Sequence, residues 1–172
     1  MKNKVNPLVK LALDSVESYV NGGKVLSAPK VLAPEMKDRA GVFVCLKKDG
    51  ELRGCVGTIL PTTPNVATEI IKNSIAAATD DPRFDCVGCH ELDGLKYSVD
   101  VLMQPEPVKD LKDLDPKRYG VIVQTGARRG LLLPDLDGVD TVEEQISIAK
   151  HKAGIASYEP VTILRFEVKR YE

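Results

Sequence analysis

Twice along this chain a strand-like run turns back on itself through a glycine-bearing connection, with helix-like stretches between the hairpins. Val42 to Lys47 and Glu51 to Gly57 are joined around Lys48-Asp49-Gly50. Val121 to Thr125 and Leu131 to Leu133 are joined around Gly126 to Gly130. Such hairpins disfavour parallel βαβ winding, which needs a crossover of roughly a dozen residues between paired strands. The expected class is therefore α+β, with antiparallel sheets and packed helices. At 172 residues the chain has one domain's length, enough to bury a core without disulfides or a metal.

Helix signals flank these hairpins. Asn6 followed by Pro7 reads as an N-cap and first helical residue; Leu8, Leu11, Ala12, Val16, Tyr19 and Val20 then recur at helical spacing until Asn21-Gly22-Gly23. Lys24 to Arg39 carries Pro29 and Pro34 and reads as an extended connection. Thr63-Pro64 is expected to open a second helix, buried along Val66, Ala67, Ile70, Ile71, Ser74, Ile75 and Ala78 and ending near Thr79. Leu95 to Met103 reads as a strand. Thr141-Val142-Glu143-Glu144 has capping-box spacing for a third helix reaching about Lys152 and stopping at Gly154. In the last strand Leu164, Phe166 and Val168 alternate inward.

The register of the first hairpin decides which residues share a face. A two-residue Asp49-Gly50 turn would pair Val44 with Cys55 and Leu46 with Arg53, mixing polar and apolar groups. A three-residue loop with Gly50 left-handed pairs Leu46 with Leu52, Val44 with Gly54 and Val42 with Val56. The apolar pattern favours the second, which places Phe43, Cys45, Arg53 and Cys55 together on the opposite face.

Lys plus Arg is 24 and Asp plus Glu is 25, a net charge of −1, which supplies no field for nonspecific binding of nucleic acid or membrane. With no Trp, three Phe and five Tyr, a base-stacking platform is also poorly furnished. No apolar run approaches the roughly 20 residues of a membrane span, and Met1 to Pro7 lacks a signal-peptide core. A cytoplasmic protein is expected. Its four cysteines, Cys45, Cys55, Cys86 and Cys89, are then expected as free thiols, metal ligands or a nucleophile rather than a disulfide framework.

Leu52-Arg53-Gly54-Cys55-Val56-Gly57-Thr58 is the segment richest in chemical possibility. Its two glycines interrupt a strand, as at a bulge or a close approach of ligand or backbone. Arg53 and Cys55 lie two apart, about 7 Å along one face, where a guanidinium can stabilise a thiolate. Set against this is a small buried cysteine beside a salt-bridged arginine. Arg83, in Asp81-Pro82-Arg83-Phe84, either points an anion-binding fork outward or pairs with Asp80 or Asp81; the pairing is the better expectation. Cys86-Val87-Gly88-Cys89-His90 matches C-x-x-C-H. Haem attachment would need export, a dithiol would need a following helix, and zinc would need a fourth ligand such as His151; incidental thiols fit best and no metal is expected. Arg128-Arg129 at a hairpin tip reads as solvated, and His151 and Lys152 as cations meeting a helix dipole.

Leu52 to Thr58 resembles the signature heptapeptide of the AMMECR domain family. Asp81-Pro82-Arg83-Phe84, Gly130-Leu131-Leu132-Leu133-Pro134 and Lys152-Ala153-Gly154-Ile155 agree in order, and the similarity extends from Leu8 to Glu167. The resemblance implies one AMMECR-like domain over residues 1–172, made of a larger subdomain from the N- and C-terminal parts and a smaller one from the middle, with the signature near a cleft between them. The short stand-alone form resembles the A component of the AmmeMemoRadiSam set, which implies a Memo-like protein and a radical S-adenosylmethionine protein as partners. Carried over by position, the candidate site residues are Arg53, Gly54, Cys55 and Gly57, with Arg83 and Lys152. The resemblance implies no established reaction and no cofactor. Cys86 and Cys89 depart from the family pattern, and Val56 stands where isoleucine is usual.

Two functions compete. In one, the cleft binds an anionic small molecule or a partner segment, with Gly54, Gly57, Arg83 and Lys152 around it. In the other, Cys55 is a nucleophile and Arg53 holds the anionic group. The absence of a general base within the motif favours binding.

Overall fold

A computed structural model describes residues 5–172. They form three α-helices and eight strands in two antiparallel-paired sheets, as the alternation of hairpins and helices predicts. The described chain divides into two compact units: one runs through Leu102 and adds Lys169–Glu172, and the other is Met103–Val168.

In the first unit, α1 (Pro7–Gly22) starts where Asn6 accepts the Leu8 amide and ends on Gly23 in the left-handed conformation. β1 (Val42–Lys48) pairs with β2 (Glu51–Gly57) on one side and β3 (Leu95–Leu102) on the other, and the sheet order is β2-β1-β3-β8, with β8 at Val168–Tyr171. Val42, Val44, Leu46 and Val99 are completely buried on the face covered by α1 and α2 (Val66–Thr79), with Leu8, Val16 and Ile70. α2 begins two residues later than Thr63-Pro64 suggests, because Asn65 is the cap and Thr63 is held outside by its bonds to Glu69. The connection after α1 contains a short turn at Pro34–Met36 that buries Met36.

The first hairpin corrects the expected register. Asp49 (φ 51) and Gly50 (φ 84) form a two-residue turn with Lys48 opposite Glu51, the left-handed pair that matches strand twist. Lys47 then faces Leu52, and a bulge leaves Arg53 without a partner before Leu46 meets Gly54, Cys45 meets Cys55 and Val44 meets Val56. One extra residue resets the side-chain phase, so the apolar face survives despite the two-residue turn. Gly54 lies on that face for a packing reason: a Cβ there would stand 2.1 Å from the Ala77 carbonyl oxygen of α2.

The second unit repeats the scheme on a smaller scale. β4 (Glu106–Pro107), β7 (Thr162–Phe166), β5 (Gly120–Thr125) and β6 (Arg128–Leu132) form a sheet in that order. α3 (Val142–Lys152) opens with the Thr141–Glu144 capping box and packs on β5 and β6, burying Ala149 against Val121, Val123 and Leu132. Gly130 admits the helix; a Cβ there would stand 2.0 Å from the Ala149 carbonyl oxygen. The final alternating run is not one strand. It breaks at Glu167, with Phe166 closing the second unit's sheet and the chain then joining the first as β8, so Val168 is only half-buried. Arg170 fastens β8 through a bidentate pair with the buried Asp100 of β3.

Candidate functional site

The bulge that displaces Arg53 from the β-ladder also re-aims it. Its Nε and Nη2 donate to Glu91 at 3.0 and 2.9 Å, and Glu91 also accepts from Lys48 and from the Gly88 amide. Glu91 sits in the short 3₁₀ segment Cys89–Gly94. Arg53 holds the Glu91 carboxyl at about 2, with help from the Gly88 amide.

Arg83 follows the end of α2 and repeats the arrangement. Its Nε and Nη2 grip Asp81 at 2.9 and 2.7 Å, and Asp81 also takes the Cys55 amide at 2.9 Å. The Arg83 fork, with the Cys55 amide, holds the Asp81 carboxyl well below the usual carboxylate range. The expected Arg83–Asp81 pairing is present, but it is not a surface pair: the Asp81 side chain is 3% exposed while that of Arg83 is 54% exposed. The buried acid fixes the base of the guanidinium, and the rest reaches solvent.

Phe84 brings the two together. The Arg53 and Arg83 guanidinium carbons lie 5.8 and 5.5 Å from its ring centroid, both within cation–π range. Each guanidinium bonds its carboxylate side-on through Nε and Nη2, a mode that directs Nη1 away from the carboxylate.

The cysteines overturn the expectation of free thiols in part. Register places Cys45 and Cys55 directly opposite, with Cα atoms 4.1 Å apart, and their sulfurs are joined as a disulfide. Cys55 therefore presents no thiol in this state. The paired register is the physical reason, since the bulge brings the residues level on one face. Cys86 and Cys89 are free and exposed, their thiols directed at the carbonyls of Thr79 and Val20. Gly57 carries the Phe43 ring on the Cys55 face; a Cβ there would stand 2.2 Å from the ring. Thus Gly54 and Gly57 serve packing on opposite faces of β2.

A buried acid that spacing did not single out supports the segment after the motif. Glu69, in the first turn of α2, accepts from Thr58, from the amides and hydroxyls of Thr62 and Thr63, and is fully buried. Burial would raise its carboxyl, but the bonds from Thr58, Thr63 and Thr62 more than offset that and leave it lowered. Threonines at 58, 62 and 63 ahead of a helix-initial glutamate are the signal that could have found it.

Arg53, Gly54, Cys55, Gly57 and Arg83 thus share the first unit. Lys152, at the end of α3, belongs to the second. Arg128 and Arg129 are not merely solvated: Arg128 binds Glu159 and the Gly154 carbonyl, and Arg129 binds Gln124. Among the described residues, no group of three or more His, Cys, Asp and Glu side chains is arranged to hold a metal ion, and no helix is long and apolar enough to cross a membrane.

Residues 9–171 match the family AMMECR1. A protein of Thermotoga maritima is 57% identical over 170 residues, covering 97% of this chain and 98% of its own length. A protein of Clostridium acetobutylicum is 51% identical over 99% of this chain, which spans only 37% of that longer relative. The crystal structure of an uncharacterized protein from Pyrococcus horikoshii superposes with a TM-score of 0.87 at 34% identity, covering 95% of this chain and 88% of that one. None of these relatives carries a name that states an activity.

Proposed function

The chain belongs to the AMMECR1 family, and we propose that in it the face formed by Arg53, Phe84 and Arg83 binds an anionic group. The group is a small molecule or a carboxylate-bearing segment of a partner. The observation that carries this reading is the pair of guanidiniums over one ring, each oriented by its own carboxylate and each with a further donor edge. Such pre-orientation reduces the ordering cost of binding an oxyanion. The partners proposed are the Memo-like and radical S-adenosylmethionine proteins, with the domain acting as an adaptor in the cytoplasm.

Nucleophilic catalysis by Cys55 fits less well. Its sulfur is shared with Cys45, the His90 ring lies against the Gly88 backbone, and His151 belongs to α3. Capture of the two partner proteins by the immobilised chain tests the proposal. Arg83→Ala should abolish capture while Cys55→Ser retains it, with thermal melting used to establish that both variants fold. Equal capture by wild type and Arg83→Ala would overturn the reading.

A further inference from the structure

The second unit holds a cavity of about 370 Å³ beside Tyr119, with Met103, Glu106, Arg118, Arg165 and Glu167 in its lining. All of those positions lie within Met103–Val168. This volume falls in the range of small-molecule sites. The Arg118 and Arg165 guanidinium carbons lie 4.9 and 4.5 Å from the Tyr119 ring centroid. The tyrosine is anchored from behind: its carbonyl accepts from the side chain of Gln145, which is fully buried, and its amide donates to Asp115.

These arginines are only partly engaged. Arg118 uses Nε for Glu167, and Arg165 uses Nε for Glu106 and Nη1 for the Asp113 carbonyl. A guanidinium has five N–H groups, so terminal donors on both remain for a ligand. The carboxylates are also easily displaced: Glu106 and Glu167 side chains are 58% and 39% exposed, and exposed pairs of this type are weak. Met103, 55% exposed, adds an apolar, adaptable surface at the same wall.

We propose that the cavity beside Tyr119 binds a small organic carboxylate, held by the terminal N–H groups of Arg118 and Arg165 with its apolar body against Met103. This site is independent of the Arg53–Arg83 face and does not rest on its function. The ligand's carboxylate takes donor positions on Arg118 while Glu167 turns to solvent.

Fluorine NMR of 4-fluorobenzoate with the intact chain tests this, with 4-fluorobenzyl alcohol as the neutral control. Saturable line broadening by the benzoate and none by the alcohol are expected. Arg118→Gln should weaken binding roughly tenfold, the loss of one charge-assisted contact. Glu167→Gln should tighten it, because the competing carboxylate is gone, an effect that a merely structural ion pair would not produce. In Arg83→Lys the broadening that Arg118→Gln weakens should persist, which separates this site from the first unit's face. The proposal fails if the benzoate does not bind, if the alcohol broadens equally, if Arg118→Gln retains wild-type affinity, or if Glu167→Gln weakens binding. A loss through Arg83→Lys alone would assign the probe to the other face and also overturn it.

Discussion

The two units solve the same packing problem with the same devices and differ in what they leave open. Each seats an alanine carbonyl of a helix on a strand glycine, Ala77 on Gly54 and Ala149 on Gly130. Each lays a phenylalanine on a second glycine, Phe43 on Gly57 and Phe166 on Gly120. Each sets two arginines about one ring, Phe84 or Tyr119. The acids that orient those arginines make the difference. Asp81 and Glu91 are 3% and 11% exposed, whereas Glu106 and Glu167 are 58% and 39% exposed. A buried acid with several donors holds its arginine in one geometry, and an exposed one can be exchanged.

Filling the shared glycine seats should have the largest effect. Gly54→Ala and Gly130→Ala should each destabilise the chain by about 3 kcal/mol, since a backbone carbonyl cannot rotate aside as a side chain can. Chemical denaturation measures this; a loss in one variant only would end the claimed equivalence. Removing the acids should then separate the units. Asp81→Ala leaves the Cys55 amide and the Arg83 fork without their acceptor and should cost about 2 kcal/mol. Glu167→Gln should change the melting temperature little, as expected for an exposed pair.

The buried acids of the first unit should also show in acid titration. Glu91 is held at about 2 against an ordinary value of 4.5, so the folded chain keeps it ionised where the unfolded chain takes up a proton. Its contribution is complete above about pH 4.5 and is lost as pH falls toward about 2. Glu91→Gln should flatten that part of the stability profile. The smallest effect is chemical labelling: iodoacetamide should modify Cys86 and Cys89 in the native chain, and Cys45 and Cys55 only after reduction.

Local chemistry was legible where it acts over one turn. Asn6-Pro7, Gly23 and the Thr141–Glu144 box set helix ends through bonds a few residues apart. The first hairpin was half legible: alternation assigned the faces of Val44, Leu46 and Cys55, but the bulge at Arg53 did not show. Arg53's partner, Glu91, lies 38 residues away, and no periodicity reports a pairing at that distance. The Cys45–Cys55 bond follows from that bulge and is hidden in the sequence for the same reason. The break at Glu167 was hidden because alternation continues through a change of sheet.

The proposed anion site is the guanidinium pair over Phe84, not the Cys55 sulfur. Side-chain ¹⁵N NMR during titration with inorganic phosphate distinguishes the two. Saturable shifts of the Arg53 and Arg83 Nε–H signals are predicted in wild type and in a Cys45→Ser/Cys55→Ser double variant, and their loss in Arg83→Lys. Shifts that require the cysteines, or that persist unchanged at Arg53 in Arg83→Lys, would contradict it.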